Sequence, residues 1–442
     1  MGYIDNILFA VLLAVGFGFF ISNVKKLIRN IKPGQDVDRS DNKGERWANM
    51  ARVALGQSKM VKRPIAAILH IIVYVGFIII NIELLEIIID GLFGTHRVFA
   101  FMGTAYNVLI GAFEILAILV LVAVITFLVR RNIIKLKRFI HNDLKGWPKS
   151  DANYILYFEI VLMALFLLMN AADFTLQQRG APHFIQAGSF PVSQFVAPVF
   201  NSISTETLLI LERVFWWMHI AGILIFMNYL YFSKHLHILL AFPNTYFADL
   251  NPLGKFDNLE SVTKEVKLMM DPNADPFAAP AADADAAPAK FGASDVQALN
   301  WVQLLNAYTC TECGRCTSSC PANITGKKLS PRKIMMDTRD RLEEVGKNID
   351  ANKGVFVADN KTLLNDYITP EELWACTSCN ACVEECPVNI SPLSIIMDMR
   401  RYLVMEQSAA PMSLNAMMTN VENNGAPWQY SQQDRLNWKN EN

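Results

Sequence analysis

The feature that most constrains this chain is a cysteine motif that occurs twice in its last third. Each copy has the spacing C-x2-C-x2-C-x3-C followed by proline, and the two copies contain all eight cysteines of the 442-residue chain: Cys310, Cys313, Cys316 and Cys320, then Cys376, Cys379, Cys382 and Cys386. Cysteines at this spacing bind [4Fe–4S] clusters, and in two-cluster proteins the fourth cysteine ligates the other cluster. The motifs therefore predict two clusters. One is bound by the first three cysteines of the first motif with Cys386, and its neighbour by the first three of the second motif with Cys320.

Two other uses of cysteine fit this pattern less well. Structural zinc sites take two C-x2-C pairs per ion rather than one run of four cysteines. Disulfides do not persist in a reducing compartment, where the charge distribution below places the motifs. Because cluster ligation takes all eight cysteines, none remains for nucleophilic catalysis, and we assign no catalytic residue.

The chain is also unusually apolar for a soluble protein. Hydrophobic residues make up 52% of it, and its mean hydropathy is +0.23. Five stretches are long and apolar enough to cross a bilayer as helices: residues 4–24, 64–89, 99–128, 154–172 and 207–232. The first has no basic segment before it, so we interpret it as a retained helix rather than a signal peptide.

The basic residues between these stretches predict the orientation. Residues 25–63 hold eleven Lys and Arg and residues 130–149 hold seven, whereas residues 90–98 and 172–206 hold one each. Basic loops stay in the cytoplasm. We therefore expect a multi-pass protein of the bacterial inner (cytoplasmic) membrane, with its N-terminus outside and its cysteine motifs facing the cytoplasm.

Histidines in two of the predicted helices indicate a haem. His70 lies near the cytoplasmic end of the second helix, and His237 lies at the cytoplasmic end of the antiparallel fifth helix, with His235 as a second candidate. A low-spin haem needs one imidazole from each side. We predict one b-type haem between His70 and His237. The alternative is that these histidines only reach the lipid headgroups, but an intramembrane histidine is costly without a role.

Acidic residues within the predicted spans mark proton or substrate paths when they face a bundle interior. Five occur here: Glu83, Glu86, Glu114, Glu159 and Glu212. Glu114, near the middle of its span, is the strongest candidate for a quinone-linked proton path. Glu83, Glu86 and Glu212 could instead lie at the outer headgroup level.

The segment 55–77, with Arg63-Pro64 and His70, resembles the entry to the second helix in membrane subunits of heterodisulfide-reductase-like complexes. More distantly, it resembles the gamma subunit of respiratory nitrate reductase, a five-helix dihaem cytochrome b. That resemblance implies that His70 and His237 bind the cytoplasmic-side haem and that His219, midway along the fifth helix, is a ligand of the outer-side haem. Ile80 occupies the position of the second ligand of that outer haem.

The C-terminal part reads as a separate helical unit. Residues 271–292 are rich in Ala, Pro and Asp, as in a tether. Ser-Pro pairs at residues 330 and 391 start a helix after each motif, Thr369 starts another, and a capping box at residues 294–297 opens a helix through Tyr308. This pattern resembles the helical two-cluster ferredoxins of succinate dehydrogenase and heterodisulfide reductase.

The expected fold class is thus all-α, a five-helix transmembrane bundle followed by a helical dicluster ferredoxin domain. We assign residues 1–240 to the bundle, 241–292 to a linker, 293–408 to the two-cluster domain and 409–442 to a tail that docks a partner. No further cysteine follows, so we expect the substrate chemistry in a separate subunit.

The parts together predict a membrane-bound electron-transfer subunit. It would pass electrons between the quinone or menaquinone pool, the haem, the two clusters and a heterodisulfide-reductase-like, cysteine-rich catalytic subunit. The alternative is a haem-free, quinone-reactive iron–sulfur anchor for a soluble redox enzyme. Nothing in the sequence indicates a nucleic-acid partner.

Overall fold

The computed structural model describes residues 3–273 and 290–440, and most residues in these ranges are helical. Helices account for 69% of the structure. Within the described ranges there is no β-strand, and extended pairing is limited to isolated bridges, of Gln35 with Asn300 and of Leu364 with Ile368. The predicted all-α fold is confirmed.

Five helices are long and apolar enough to cross a membrane, as predicted. They are α1 Tyr3–Ile31, α3 Pro64–Phe93, α4 Thr104–Leu128, α5 Trp147–Gln178 and α7 Thr205–Tyr229. Most run beyond the apolar stretches of the sequence because polar residues continue their ends. At α5, for example, Pro148 lies in the first turn, where its missing N–H costs nothing. We call these five helices the membrane bundle.

The other helices are shorter and most follow the bundle. They are α2 Lys43–Met50, α6 Ser193–Val196, α8 His237–Tyr246, α9 Glu260–Met270, α10 Trp301–Thr309, α11 Arg315–Ser318, α12 Pro321–Ile324, α13 Pro331–Ala351, α14 Pro370–Trp374, α15 Ala381–Glu385, α16 Pro392–Met405 and α17 Met412–Asn424. Single turns of 3-10 or π-helix add Ala51–Leu55, Val98–Met102, Val129–Ile133, Lys137–Phe139, Asn142–Leu144, Ala197–Phe200, Leu230–Phe232, Lys234–Leu236, Val296–Ala298, Leu363–Tyr367 and Asn437–Lys439.

Side-chain caps begin the C-terminal helices largely where the sequence places them. Ser330 caps α13 and Ser391 caps α16, each followed by proline. Thr369 forms a capping box at the start of α14. The capping box predicted at residues 294–297 is wrong. Asp295 caps only a single turn there, and α10 starts after Asn300, which forms the box with Gln303.

The C-terminal domain, residues 290–440, packs against one end of the bundle. Its buried core, with Leu304 and Ile334, is continuous with Leu27, Ile155 and Phe226 of the membrane helices. We call the end of the bundle that contacts the C-terminal domain its near end. The far end carries the loops 94–103 and 179–204. Of the predicted linker, α9 and the end of α8 are helical, and residues 274–289 lie outside the described residues.

Candidate redox sites

The eight cysteines line two neighbouring cavities in the C-terminal domain. Four of them line what we call the first cavity: Cys310, Cys313, Cys316 and Cys386. The other four line the second cavity: Cys320, Cys376, Cys379 and Cys382. Cys382 also reaches the wall of the first cavity. Each cavity thus combines three cysteines of one motif with the last cysteine of the other. None of the eight forms a disulfide.

Both motif loops have the same backbone conformation around their middle cysteine. Glu312 and Gly314 flank Cys313 with φ of +54° and +72°, and Ser378 and Asn380 repeat this around the next motif with +55° and +59°. Left-handed residues on both sides of one cysteine curl the loop tightly. This curl turns the three consecutive cysteines of each motif towards a common cavity.

Two of the cysteine sulfur atoms accept hydrogen bonds from the backbone. The backbone N–H of Ser378 donates to Cys376 Sγ over 3.4 Å, and that of Ile390 donates to Cys386 Sγ over 3.3 Å. Burial raises the pKa of Cys386 to about 11. A thiolate there is therefore unfavourable without a nearby cation. In the described residues, no three His, Cys, Asp or Glu side chains lie close enough to hold a single metal ion.

The first cavity faces the membrane bundle. Arg315, which lines it, donates to the carbonyl of Lys59 over 3.1 Å and contacts Met60 Sδ, in the segment that leads into α3. Glu312, also in its wall, forms ion pairs with Arg339 and with Lys234 of the bundle side. Burial alone would raise the pKa of Glu312, but the two cations outweigh it and hold that pKa below its usual value.

The second cavity lies nearer the surface. Cys379 is exposed to solvent, whereas Cys320 and Cys382 are buried. A group bound in the second cavity would therefore have one edge accessible from solution.

At the near end of the bundle, His70 of α3 and His237 face each other. Their ring centres are 6.4 Å apart and the ring planes are inclined by 42°. His237 Nδ1 lies 3.1 Å from the carbonyl of Lys234, so this nitrogen carries the hydrogen and Nε2 keeps its lone pair. His70 Nδ1 is buried with no hydrogen-bond partner among the described residues. Burial lowers the pKa of His237, so the ring is neutral at pH 7.

His237 does not belong to the fifth membrane helix, contrary to the sequence interpretation. That helix and its final turn end at Phe232, and Ser233 is extended. His237 begins the separate helix α8. The extended residue lets the chain turn back under the bundle, which brings His237 level with His70.

The other two candidate histidines face different partners. His235 Nε2 lies 3.8 Å from Glu159 of α5, and its ring is perpendicular to that of His237. Burial, with His237 and His70 nearby, lowers the pKa of His235 to about 3. His219 is buried midway along α7 beside Phe166. Hence the structure pairs His70 with His237 and leaves His219 without a histidine opposite.

An apolar cavity, the bundle cavity, lies between α3, α4, α5 and α7. Ile80 and Glu83 line it from α3, Glu159 from α5 and His219 from α7. Glu83 is buried, and its Oε2 has no hydrogen-bond partner among the described residues. Sequence reasoning favoured Glu114 instead. Its Oε2 accepts from the N–H groups of Val192 and Ser193 at the start of α6, so Glu114 holds a loop in place.

Comparison with known families identifies the cysteine region. Residues 309–390 match the 4Fe-4S dicluster domain. This part of the chain is an iron–sulfur domain. The match agrees with the predicted cofactor class, and with the five apolar helices it describes a membrane protein that carries an iron–sulfur domain.

Several curated proteins resemble the chain over much of its length. The chain is 29% identical to the probable iron-sulfur-binding oxidoreductase FadF of Bacillus subtilis over 99% of its own length and 61% of that protein. It is 26% identical to the EtfAB:quinone oxidoreductase of Syntrophomonas wolfei over 96% of its own length and 57% of that protein. The chain thus spans about three fifths of these relatives.

A shorter match covers about a quarter of the chain. The chain is 33% identical to one subunit of a ferredoxin/F(420)H(2)-dependent CoB-CoM heterodisulfide reductase of Methanosarcina acetivorans, over 24% of the chain and 52% of that relative. No solved structure matches the chain. The named relatives are iron–sulfur oxidoreductases and their electron-transfer subunits, which agrees with the redox function expected from the sequence.

Proposed function

We propose that this chain passes electrons between a quinone in the bundle cavity, a b-type haem held by His70 and His237, two [4Fe–4S] clusters in the cysteine cavities, and a separate redox enzyme. The observation that carries this proposal is the facing pair His70–His237 at the near end of the bundle, beside the first cavity. Haem and clusters bound there would supply one-electron chemistry that a two-electron quinone carrier requires.

The histidine pair fits the ligands of a b-type haem. His70 and His237 would hold the iron, one imidazole from each side. Their ring centres lie 6.4 Å apart. His237 presents a bare Nε2 because its Nδ1–H donates to Lys234, the arrangement usual for metal-bound histidine.

The cysteine sets fit two cubanes. Each cavity gathers four cysteines from both motifs, which agrees with the crossed ligation expected of two-cluster proteins. Backbone N–H groups that donate to Cys376 and Cys386 favour the thiolate form of each cysteine. Such hydrogen bonds would also tune the redox potential of the bound clusters. We assign Cys310, Cys313, Cys316 and Cys386 to the first cluster and Cys320, Cys376, Cys379 and Cys382 to the second.

The order of the sites supports a linear relay. The first cavity adjoins the segment leading to His70 through Arg315, whereas the second reaches solvent at Cys379. Electrons therefore enter or leave the relay near Cys379, and a partner must dock there. The tail offers an apolar surface for that partner, since no residue of α17 is buried and Met412 is 87% exposed.

The relatives support the same two ends of the relay. The Syntrophomonas protein is named as a quinone oxidoreductase for EtfAB, and the Methanosarcina protein as part of a heterodisulfide reductase. For this chain we propose a membrane quinone or menaquinone at one end and a cysteine-rich, heterodisulfide-reductase-like enzyme at the other. We place the cysteine domain on the cytoplasmic side of a bacterial inner membrane, so that enzyme would be cytoplasmic.

An absorbance spectrum of the purified membrane protein, followed by addition of a quinol, tests the proposal. We expect a reduced α-band of b-type haem and bleaching of the broad cluster absorption when decylubiquinol is added. Absence of the α-band in protein fully loaded with iron would favour the haem-free alternative. Failure of the quinol to reduce either chromophore, although dithionite does, would contradict the quinone assignment.

A further inference from the structure

The two cysteine motifs have the same spacing, so their residues can be compared position by position. Arg315, immediately before the third cysteine of the first motif, corresponds to Ala381 of the second motif. Arg315 begins α11 and Ala381 begins α15, directly after the curled motif loops. Each of these two residues lines the cavity of its own motif. The two cavities therefore differ in charge at an equivalent position.

The charge of Arg315 is buried and is not neutralised by its hydrogen-bond partners. The residue is 3% exposed. Its guanidinium donates to the carbonyl of Lys59 over 3.1 Å and contacts Met60 Sδ, and both acceptors are uncharged. The carboxylate whose charge reaches Arg315, that of Glu385, forms its ion pair with Arg63 instead. The positive charge of Arg315 therefore remains directed at the first cavity.

Lys59 brings a second positive charge to the same cavity. Its Nζ donates to the carbonyl of Val383 in α15 over 3.4 Å. It lies close enough to Cys386, a cysteine of the first cavity, for their charges to interact. The neighbouring acid Glu384 forms its ion pair with Lys62. Lys59 therefore adds positive charge on the side of the cavity that faces the bundle.

Arg138, in the loop between α4 and α5, adds a third positive charge. It packs against Gly314 in the wall of the first cavity, where a Cβ would lie 3.1 Å from the carbonyl oxygen of Arg138 and 3.4 Å from its Cβ. A glycine at this position lets the arginine approach the motif loop. The second motif has Asn380 at the equivalent position. The charge of Arg138 interacts with that of Cys313.

The other charged residues that line the first cavity are compensated by their neighbours. Arg332 forms a buried ion pair with Asp143. Glu312 is bound by two cations, Arg339 and Lys234. Neither group leaves a carboxylate without a cation, so neither cancels the charges of the three basic residues described above. The first cavity thus has an excess of positive charge.

The second cavity has fewer cations around it. In the part of the chain that the structure describes, its lining contains no charged side chain besides the cysteines. One cation acts on it from behind, Arg400, which donates through Nε to the carbonyl of Leu373 over 3.0 Å and interacts with Cys376. Solvent at Cys379 also favours a reduced cluster there. Buried charges such as that of Arg315 are screened least, so the three cations of the first cavity outweigh this effect.

We propose that Arg315, together with Lys59 and Arg138, gives the first cluster the higher reduction potential of the two. A positive charge stabilises the reduced cluster, which carries one more negative charge than the oxidised one. This inference rests on the two clusters of the proposed function and is independent of its haem and quinone. Each cluster gains one electron, which its donor, a quinol or the docked redox enzyme, loses, and no bond forms or breaks. A single electron on the relay therefore resides on the first cluster, beside the bundle.

Stepwise reduction of the full-length protein with dithionite and redox mediators, followed by electron paramagnetic resonance, tests this order. Under the proposed ligation, the Cys379→Ser protein retains only the first cluster and the Cys313→Ser protein only the second, so their spectra identify the two signals. In the unsubstituted protein we expect the signal that appears at the higher potential to match that of Cys379→Ser. A match with Cys313→Ser would overturn the inference.

Substitutions at the two equivalent positions separate charge from structure. Arg315→Gln removes the charge and keeps a hydrogen-bond donor. At a fixed potential, we expect the ratio of reduced to oxidised first cluster to fall about tenfold, which is about 59 mV for one electron, with the second cluster unchanged. Arg315→Lys keeps the charge and should retain most of this ratio. Ala381→Arg should raise the ratio at the second cluster. Lys328→Gln is the matched control, since Lys328 is an exposed basic residue paired with Glu371, and it should change neither cluster.

The outcomes separate this inference from the proposed function. Equal effects of Arg315→Gln and Arg315→Lys, or an equal shift of both clusters in Arg315→Gln, would overturn the inference while leaving both clusters in place. Iron content far below about eight per chain, with no cluster signal, would remove the clusters from the proposed function, and this inference would fail with them. Two cluster signals in the expected order without a haem α-band would support the inference and contradict only the haem assignment.

Discussion

Arg332 and Asp143 form a buried ion pair that fixes the C-terminal domain on the membrane bundle. Arg332 lies in the first turn of α13, Asp143 lies in the loop between α4 and α5, and their side chains are 1% and 6% exposed. Arg332 Nε lies 3.2 Å from Asp143 Oδ2, which also accepts from Ser330 over 2.8 Å. Because Arg332 also lines the first cavity, this pair sets the position of that cavity relative to the bundle.

Replacing Asp143 by alanine should weaken this attachment strongly. The buried guanidinium would lose its counter-charge, a change that costs about 3–5 kcal/mol in buried pairs. We expect a lower melting temperature and faster release of the C-terminal domain by protease. Lys328→Ala is the control, because Lys328 pairs with Glu371 at the surface and such pairs contribute about 0–1 kcal/mol. Equal effects of the two substitutions would contradict this role of the pair.

Acid should weaken the same attachment. Burial alone would raise the pKa of Asp143, but hydrogen bonding and attraction from Arg332 outweigh it and hold the pKa below its usual value. A carboxyl whose pKa is lower in the folded state stabilises the fold fully at pH values above its unfolded-state pKa of about 3.9. This stabilisation is lost as the pH falls through the folded-state pKa. Protease sensitivity of the domain should therefore rise below about pH 4, and this acid-dependent part should vanish in Asp143→Asn. An unchanged pH profile in that variant would contradict the assignment.

His70→Ala should abolish the α-band of b-type haem. The substitution removes one of the two facing imidazoles and leaves His237 without an opposite ligand. His219→Ala is the matched control, since His219 is a buried histidine with Ile80 and Glu83 across its cavity, and it should keep the band. Reduced-minus-oxidised difference spectra of the two variants decide this. Loss of half the band in His219→Ala would reveal a second haem and contradict the single-haem prediction.

The crossed cysteine sets can be tested by comparing three serine substitutions. Cys386→Ser should remove the same cluster as Cys313→Ser, although the two residues belong to different motifs, because both line the first cavity. Cys379→Ser should remove the other cluster. Each variant should retain about four of about eight irons, and electron paramagnetic resonance should show which cluster signal is lost. A Cys386→Ser spectrum that matches Cys379→Ser would contradict the crossed assignment.

The sequence predicted the elements that depend on local pattern. Apolar stretches of sufficient length predicted five membrane helices, and serine, threonine and proline at helix starts predicted α13, α14 and α16. The cysteine spacing predicted the iron–sulfur domain that the 4Fe-4S dicluster match identifies. These features are encoded within a few turns of chain, where periodicity and capping decide the outcome.

Features that depend on distant partners were not predictable in this way. The sequence placed His237 on the fifth membrane helix, because nothing in the pattern signals that Ser233 is extended. It favoured Glu114 as a proton-path residue, but the N–H groups of Val192 and Ser193 that bind it come from a loop about 80 residues later. The contact between Arg332 and Asp143 likewise joins parts of the chain with no shared motif. Such contacts are set by packing.

The mixed origin of each cysteine set has a consequence for biosynthesis. Under the proposed ligation, a nascent chain that has emerged only as far as Cys320 holds three of the four thiolates for the first cluster, and neither cluster can be completed before the second motif is translated. By then all five membrane helices have left the ribosome, and Asp143 is available to receive Arg332. Cofactor insertion would thus follow membrane integration, so that a chain arrested between the motifs would carry neither cluster in complete form.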